Sequence, residues 1–399
     1  MKVLLLNQFF PPDLAPTGQM ASELAEDLVA AGFEVTVVAS RGSYLGGERL
    51  PERDTWRGVD VRRLAATSLG KGSLLHRALD YGSFHAATAW ALARLPRHDV
   101  VNAMTTPPLI AATGLVAKAR RGSKLVYWVQ DLYPEIAIAF GALGPDSAMA
   151  RGMGAISRKV LESADRVVVL GEAMAERAAA SGATAAKVLV IPNWADGEVV
   201  RPVPHQENPL RAELSRGARF VVMYSGNIGR AHDVETLAGA ARLLEARTDI
   251  AFLFLGEGDR KAELELATRG LPTVRFGPYQ ARERLAQSLS AADAHLISLA
   301  PDVLGLLEPS KLYGIMAAGR PSLYVGPGRA EVARTIEAER CGLVFRNGDA
   351  EGLAGAISSL ADDPARGAEM GAAGRTGFLA RHDRRVRTAQ FADLLRNLA

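Results

Sequence analysis

A serine and a lysine stand where the sequence predicts that a helix begins, in the stretch 306–321. Apolar side chains recur at helical spacing from Leu312 onward, and Pro309 suits the first helical position because it has no N–H to lose. Free backbone N–H groups at such a start, beside a lysine ammonium group, favour phosphate binding. We therefore predict that Ser310, Lys311 and Leu312 hold a nucleotide diphosphate. The alternative is an ordinary capped helix.

A glycine-rich loop in the same half of the chain offers a second set of phosphate donors. A predicted strand leads into residues 226–230, a Gly-Asn-Ile-Gly-Arg loop. Backbone N–H groups around Asn227 and Gly229 can hold anionic oxygens, and Arg230 adds positive charge. The loop is not a Walker A loop, since the G-K-[ST] ending is missing. Two such sets of phosphate donors suit a diphosphate, and Arg230 and Lys311 can counter the charge on a leaving group.

A third segment of this half can border a nucleobase. Gly277, Pro278 and Tyr279 follow the predicted strand 273–276 and offer backbone contacts and an aromatic ring for stacking. In a parallel sheet, ligands bind beyond the carboxyl ends of the strands. The three segments are weak indications one by one, but all three follow strands, so we expect them to share one edge of a sheet.

Polar residues follow predicted strands in the first half of the chain as well. The strand 124–129 leads into Gln130 and Asp131, and the loop after the first strand contains Gly18, where backbone can approach a ligand closely. The alternatives are that Asp131 caps the next turn and that Gly18 is an ordinary turn glycine. This loop lacks G-x-G-x-x-G, so the dinucleotide-binding fingerprint is absent.

The elements that must position these residues alternate between strand and helix, which predicts an α/β fold. Strands are expected at 2–7, 35–39, 59–64, 99–103, 124–129, 166–170, 187–191, 220–225, 250–255, 273–276, 294–298, 322–325 and 342–345, and helices after 18 and at 69–95, 149–164, 172–181, 233–246 and 375–398. A chain of 399 residues favours two domains, and the proline-rich stretch after Trp194 reads as a linker. We predict two α/β halves, 1–195 and 196–379, with parallel sheets facing a cleft between them.

Composition excludes several classes of protein. The single cysteine, Cys341, rules out an internal disulfide and fits a reducing compartment. The chain has no apolar run of 18 or more residues and begins without the layout of a signal peptide, so we expect a cytoplasmic protein. A formal charge of +3 is too small to indicate nucleic-acid binding. We expect no metal, because the histidines are unpaired in spacing and no D-x-D motif is present.

A membrane contact is an alternative for one helix. The predicted helix in 69–97 has an apolar face and carries basic residues at both ends. This pattern can rest on the anionic inner face of a membrane as a peripheral contact. The other interpretation is a core helix with solvated ends.

The motifs resemble those of the GT-B glycosyltransferases, and specifically the retaining family 4 enzymes that build bacterial O-antigen, capsule and exopolysaccharide. The markers are Pro-Pro-Asp at 11–13, Pro-Thr-Gly at 16–18, Gln-Asp-Leu-Tyr-Pro-Glu at 130–135, Ile-Pro-Asn-Trp at 191–194, Tyr-Ser-Gly-Asn-Ile-Gly-Arg at 224–230, Pro-Ser-Lys-Leu-Tyr at 309–313 and Met-Ala-Ala-Gly-Arg-Pro at 316–321. The resemblance covers nearly the whole chain. It implies two Rossmann-like domains, the first for the acceptor and the second for the nucleotide sugar.

The resemblance also implies where ligands lie. It places Gly18 beside the donor phosphate and the acceptor, the loop 226–230 and residues 310–311 around the diphosphate, and 277–279 beside the base. It implies that a last helix, 380–399, crosses back to the first domain. The activity implied is transfer of a hexose or N-acetylhexosamine from a nucleotide diphosphate sugar, with UDP as the expected carrier, to a glycan, lipid-linked or small-molecule acceptor, with no nucleic acid as partner.

The sequence departs from the family pattern at two places. Gln130 stands where the family often has histidine, and glutamine cannot act as an acid or base. Leu306 and Gly314 occupy the positions of two glutamates that often contact the sugar and the ribose. Glu308 is close enough to replace the first, as a catalytic carboxylate together with Asp131. The absence of the two glutamates leaves two alternative functions open. One is a nucleotide-sugar epimerase of the GT-B type, and the other is a degenerate nucleotide-sugar-binding protein.

Overall fold

The computed structural model describes residues 1–13, 15–42, 49–67, 69 and 74–398, with the side chains of Leu74 and Leu75 left aside. Residues 70–73 of the predicted helix 69–95 therefore lie outside the described residues. The chain forms two compact units. Unit 1 comprises residues 1–192 together with 387–399, and unit 2 comprises residues 193–386. The boundaries predicted from the sequence are after residues 195 and 379. The observed boundaries are after residues 192 and 386.

Unit 1 is built on an eight-stranded sheet with the order β3-β4-β2-β1-β5-β6-β7-β8. Its elements are β1 (Lys2–Leu6), α1 (Pro16–Ala30), β2 (Glu34–Ser40), β3 (Arg53–Trp56), β4 (Val59–Leu64), α2 (Leu74–Arg94), β5 (Val100–Ala103), α3 (Ala111–Arg121), β6 (Lys124–Trp128), α4 (Glu135–Ala139), α5 (Ala148–Ser163), β7 (Arg166–Val169), α6 (Glu172–Ala180) and β8 (Val188–Val190). The neighbouring strands are parallel except β3 and β4. The central strands are continuous apolar runs because helices cover both faces of a parallel sheet.

Strand β3 and helix α3 of unit 1 were missed by sequence reasoning. Strand β3 forms an antiparallel hairpin with β4 through Arg57 and Gly58, which have φ of 47° and 85°. Positive φ at both turn residues is the geometry of a type I′ hairpin, but arginine is an unusual residue there and gives no local indication of it. Helix α3 is alanine-rich and ends at Gly122 in the left-handed conformation.

Unit 2 is built on a six-stranded parallel sheet with the order β11-β10-β9-β12-β13-β14. Its elements are α7 (Pro209–Ser215), β9 (Phe220–Ser225), α8 (Val234–Leu243), β10 (Ile250–Leu255), α9 (Lys261–Ala267), β11 (Val274–Gly277), α10 (Leu285–Ser290), β12 (Ala294–Ser298), α11 (Lys311–Ala317), β13 (Ser322–Val325), α12 (Glu331–Glu339), β14 (Gly342–Phe345), α13 (Ala350–Asp362) and α14 (Pro364–Gly377). Most of the strands predicted here are confirmed with the same bounds. Aromatic and aliphatic side chains of β9 and β10 form the core against α8 and α13.

The tail predicted as helical over 375–398 is helical for most of its length, but it is interrupted at Asp383. Helix α14 runs into a five-residue π-helix, Phe378–His382, and the backbone is extended at Asp383 before α15 (Arg384–Arg396) begins. The side chain of Asp383 accepts a hydrogen bond from the backbone N–H of Gly197 at 3.1 Å. The same side chain accepts a hydrogen bond from the backbone N–H of Arg385 at 2.9 Å, so Asp383 also caps the start of α15. Within unit 1, the ring of Phe391 on α15 lies 4.7 Å from that of Trp128.

Candidate diphosphate site

The segments singled out in unit 2 meet at the carboxyl edge of its sheet. Leu255, the last residue of β10, pairs with Ser225 of β9 on one side and with Gly277 of β11 on the other. The loops that follow β9, β10 and β11 therefore start side by side at the same edge of the sheet. Strand order reverses between β9 and β12, and this switch point is where open α/β sheets bind ligands. Lys311 follows β12, so the topology brings it to the glycine loop after β9.

The ammonium group of Lys311 is buried without a hydrogen-bond acceptor in the part of the chain that the structure describes. It lies 3.7 Å from the centre of the Tyr224 ring, on β9. Burial lowers the pKa of Lys311 to about 7. The lysine lies beside Gly226, whose φ of 136° favours glycine; a Cβ atom there would be in ordinary contact with Nζ at 3.5 Å. A buried ammonium group with no anion beside it can take up an anionic ligand once the lysine stem or the loop moves.

Tyr224 also holds the glycine loop. Its hydroxyl donates a hydrogen bond to the carbonyl of Asn227 at 2.7 Å, and its ring meets that of His232 edge to face. The Nδ1 atom of His232 lies 2.7 Å from the carbonyl oxygen of Ser298 and must donate to it. Burial, followed by the nearby charge of Lys311, lowers the pKa of His232 to about 3, so the ring is neutral. Sequence reasoning missed His232, which lies in a loop, because its partners Tyr224 and Ser298 are on strands β9 and β12.

The glycine loop rests on a second glycine loop, residues 256–258. The N–H of Ile228 donates to the carbonyl of Glu257 at 2.9 Å, and the carbonyl of Ile228 accepts from the backbone N–H of Arg260 at 3.0 Å. Gly258 has φ of 153°, and a Cβ atom there would lie 2.4 Å from that carbonyl oxygen. Gly258 is therefore needed for close backbone packing. At Gly229 a Cβ atom would meet the Asn227 side chain at 2.5 Å.

Arg230 lies at the surface and is already paired. Its Nε atom lies 3.1 Å from a carboxylate oxygen of Asp259, and both side chains are more than half exposed. An exposed pair of this kind contributes little to stability and can be broken at little cost. The role predicted for Arg230 at the diphosphate stays a prediction.

Helix α11 begins later than expected. Its first residue is Lys311 and not Pro309, and Ser310 is the N-cap with helical backbone angles and no side-chain capping bond. The Ser310 hydroxyl is thus not committed to the helix. Leu312 is fully buried in the core, so only its backbone remains for a ligand. The helix has only seven residues and therefore a weak dipole. The charge of Lys311 contributes more than this dipole to the attraction of an anionic ligand.

The carboxyl group of Glu308 lies at the start of another helix. One oxygen accepts a hydrogen bond from the backbone N–H of Glu331, the first residue of α12, at 3.4 Å. The other oxygen is buried without a partner among the described residues. Burial raises the pKa of Glu308 to about 8. Glu308 thus binds a backbone N–H at the start of α12. Its predicted role as the replacement for the missing glutamate that contacts the sugar stays a prediction.

The segment predicted to border the base places one ring at the surface. Gly277 ends β11, and a Cβ atom there would lie 2.8 Å from the Leu255 side chain. Pro278 follows, and the hydroxyl of Tyr279 donates to the carbonyl of Glu257 at 3.3 Å. The side chain of Tyr279 is 53% exposed. The ring is thus anchored at its hydroxyl beside the glycine loops and keeps surface for stacking.

Gly18 of unit 1 lies in the first turn of α1 and is not a turn glycine. A Cβ atom there would lie 3.1 Å from the backbone of Phe9, in the preceding loop. The side-chain amide of Asn7 donates to the carbonyl of Phe9 at 2.8 Å and holds that loop in place. Glycine therefore lets the start of α1 pack directly on the loop after β1. Its predicted contact with a donor stays a prediction.

Gln130 and Asp131 follow β6 at the carboxyl edge of the unit 1 sheet. Gln130 is buried, and burial raises the pKa of Asp131 to about 6. Pro134 occupies the N-cap of α4 and no side chain caps that helix, so Asp131 does not cap α4. Glu135, in the first turn of α4, accepts a hydrogen bond from Ser181 at 3.1 Å. The catalytic role of Asp131 stays a prediction.

Metal-binding clusters and membrane-spanning helices are both absent from the described residues. No group of three or more histidine, cysteine, aspartate or glutamate side chains there is arranged to hold a metal ion. No helix in that part of the chain is long and apolar enough to cross a membrane.

Comparison with known proteins identifies the family. Residues 17–194 match the glycosyl transferase 4-like domain, and residues 219–363 match the glycosyl transferases group 1 domain. The chain is 27% identical to the putative colanic acid biosynthesis glycosyl transferase WcaI of Escherichia coli K12, over 84% of this chain and 86% of that protein. It is 30% identical to the probable glycosyltransferase WbjE of Pseudomonas aeruginosa, over 67% and 68% of the two chains.

The solved structures agree on the fold. HepE from Anabaena, in complex with UDP-glucose, superposes with a TM-score of 0.74 over 100% of both chains at 16% identity. The fold class and the transferase activity predicted from the sequence are thus confirmed. The chain belongs to the GT-B glycosyltransferases that join a glycosyl transferase 4-like domain to a group 1 domain.

Proposed function

We propose that the protein transfers a hexose or N-acetylhexosamine from a UDP-linked donor, with retention of configuration and without a metal ion, to a growing glycan. The observation that carries the proposal is Lys311, a buried ammonium group that has no acceptor among the described residues, at the switch point of the unit 2 sheet. UDP as carrier is supported by the complex of HepE with UDP-glucose. A glycan acceptor is supported by the naming of WcaI for colanic acid biosynthesis.

The chemistry follows from charge at the leaving group. When the bond from the sugar to the diphosphate breaks, negative charge grows on the diphosphate oxygens. The Lys311 ammonium and the backbone N–H groups of the glycine loop stabilise that charge more than they stabilise the intact donor, which lowers the barrier. The acceptor hydroxyl attacks from the same face and passes its proton to the departing diphosphate. No protein nucleophile is needed in this scheme.

We further infer that the acceptor is lipid-linked and that the protein works in the cytoplasm, at the inner face of the membrane. A glycan that grows on a lipid stays in the bilayer, so the enzyme that extends it must come to the membrane surface. The apolar and basic pattern of the sequence 69–97 supports this placement.

A ligand screen followed by a transfer assay tests the proposal. Thermal shift with UDP, ADP, GDP and their sugars should show the largest stabilisation with UDP compounds, because a ligand that binds only the folded state raises the melting temperature. Labelled sugar should then be transferred to an acceptor in a membrane extract. The product should be the α anomer. Release of an epimerised sugar without acceptor would point to an epimerase, and tight UDP binding without transfer would point to a binding protein.

A further inference from the structure

A fully buried arginine lies in unit 1. Arg63 is on β4, where buried and partly exposed residues alternate, and it occupies a buried position of that pattern at 0% exposure. The neighbouring Arg62 lies on the other face of the strand and pairs with Asp60 at 3.0 Å. Burial of a guanidinium group is costly unless its donors find acceptors. The acceptors of Arg63 therefore indicate what this arginine does.

The guanidinium of Arg63 joins the β3–β4 hairpin to the loop after β1. Its Nη2 atom donates a hydrogen bond to the carbonyl of Pro11 at 2.6 Å, and its Nη1 atom donates to the Asp54 carboxylate on β3 at 3.2 Å. A second contact is aromatic: the rings of Phe10 and Trp56 meet edge to face with their centres 5.4 Å apart. The hairpin thus holds this loop through one charged contact and one aromatic contact.

The loop that Arg63 holds lies at the carboxyl edge of the unit 1 sheet. We call residues 7–13, which follow β1, the β1 loop. Strand order reverses between β1 and β5, and open α/β sheets bind ligands at such a switch point. The N–H of Gln8 donates to the carbonyl of Thr106 at 2.7 Å and so joins the loops that follow these two strands. The β1 loop therefore borders the edge of unit 1 where a ligand is expected.

Side-chain oxygens at this switch point lack hydrogen-bond partners. The amide oxygens of Asn7 and Gln8 are buried and accept no hydrogen bond from the described residues, and the hydroxyl of Thr105, after β5, is buried in the same way. Buried polar atoms are normally hydrogen-bonded, so these three are open to a ligand or to water. Amide and hydroxyl oxygens carry no charge. They suit the hydroxyl groups of a neutral sugar better than they suit a phosphate group.

We propose that Arg63 is a positioning residue for the acceptor, and that the acceptor presents a neutral sugar to the β1 loop. Arg63 does not touch the acceptor. It acts through the carbonyl of Pro11, which fixes the position of the loop beside the switch point. Placement matters because a shift of about 1 Å in a reacting group can cost about a hundredfold in rate. The inference rests on the proposed transfer reaction and on the acceptor role that the family resemblance implies for the first domain.

Arg63→Met tests the proposal, with Arg62→Met as its matched control. Each variant removes one charge and keeps an unbranched apolar stem. Transfer from the UDP-sugar that stabilises the protein most is measured with membrane extract and donor varied in turn. In Arg63→Met, kcat/KM for the extract should fall about tenfold to a hundredfold, whereas the affinity for UDP should stay within about twofold of the wild type. Arg62→Met should change neither quantity.

Hydrogen–deuterium exchange reports on the β1 loop without any substrate. Peptides that cover this loop should exchange about tenfold faster in Arg63→Met, because the loop loses a hydrogen bond from a charged donor. Peptides from β1 should exchange as in the wild type, and Arg62→Met should change neither set. A wild-type protein that transfers no sugar would refute the proposed reaction, and the exchange result would still decide whether Arg63 holds the loop.

Three results would overturn the proposal. They are unchanged exchange of the β1 loop in Arg63→Met, equal kinetic losses in the two methionine variants, and a loss of UDP affinity as large as the loss for the extract. If Arg63→Met does not fold, Trp56→Leu takes its place, because it loosens the same loop and leaves the buried charge paired. Wild-type exchange and wild-type transfer in that variant would also overturn the proposal.

Discussion

The Lys311 ammonium lies 3.7 Å from the centre of the Tyr224 ring, and both groups belong to unit 2. The ring face offers partial negative charge but no hydrogen-bond acceptor, so the lysine is held without being neutralised. The same tyrosine fixes the glycine loop through the carbonyl of Asn227. The two predicted phosphate-binding segments are therefore connected by one side chain.

Removal of the Lys311 charge should abolish most turnover. Lys311→Met keeps the packing of the stem, and Lys311→Ala does not; both should lower kcat/KM by about two to three orders of magnitude, since charge on the leaving diphosphate is no longer countered. Steady-state transfer assays measure this. Lys124→Met, at the exposed start of β6, is the matched control and should stay near the wild type. Full turnover in Lys311→Met would refute the assignment.

Binding of a UDP-sugar should depend on pH through the same lysine. The pKa of Lys311 is about 7 in the free protein, and a bound diphosphate raises it, because the charged form gains a partner. Affinity should therefore be constant below about pH 7 and fall above it, by up to about tenfold per pH unit. Calorimetric titrations between about pH 7 and pH 9 check this. Lys311→Arg, which stays charged, should flatten the profile; an unchanged slope would assign the effect to another group.

Glu308→Gln should make the protein more stable in mild alkali. The pKa of Glu308 is raised to about 8 in the folded state, so folding favours its protonated form. Below the unfolded pKa, about 4.5, the carboxyl is neutral in both states. As pH rises toward 8 the unfolded chain loses this proton first, and stability falls by up to about 4 kcal/mol. Glutamine avoids that loss.

Urea unfolding of the two proteins at about pH 5 and about pH 8.5 measures the difference. The gain from Glu308→Gln should be small at the lower pH and largest at the higher one. Glu369→Gln, on the exposed side of α14, is the control. An equal effect of Glu308→Gln at both pH values would show that the carboxyl ionises freely in the folded protein. If Glu308 also contacts the sugar, kcat should fall in this variant.

Chelation should leave transfer intact. The prediction rests on the sequence, which has no D-x-D motif to bridge a cation to a diphosphate. Activity in excess EDTA, compared with activity in added Mg²⁺ or Mn²⁺, provides the measurement. Loss of turnover in EDTA, restored by one of these ions, would contradict the metal-independent scheme.

The strands of unit 2 could be predicted closely because their indications are local. Apolar runs such as 220–225 and 250–255 end at glycines, and both features lie within a few neighbouring residues. The tail could not be predicted in the same way. At the break, Asp383 accepts hydrogen bonds from the neighbouring Arg385 and from the distant Gly197, and no residue near 383 in the sequence reveals the contact with Gly197.

The sequence by itself determined the α/β alternation, the family, and the position of Lys311 and the glycine loop after strands, since periodicity, glycine and proline act on their own neighbourhood. Only the tertiary structure decided what those groups touch. It placed Lys311 on Tyr224, paired Arg230 with Asp259, and set Glu308 against the start of α12. These partners are brought together by strand order and helix packing, and charge, burial and pKa depend on them.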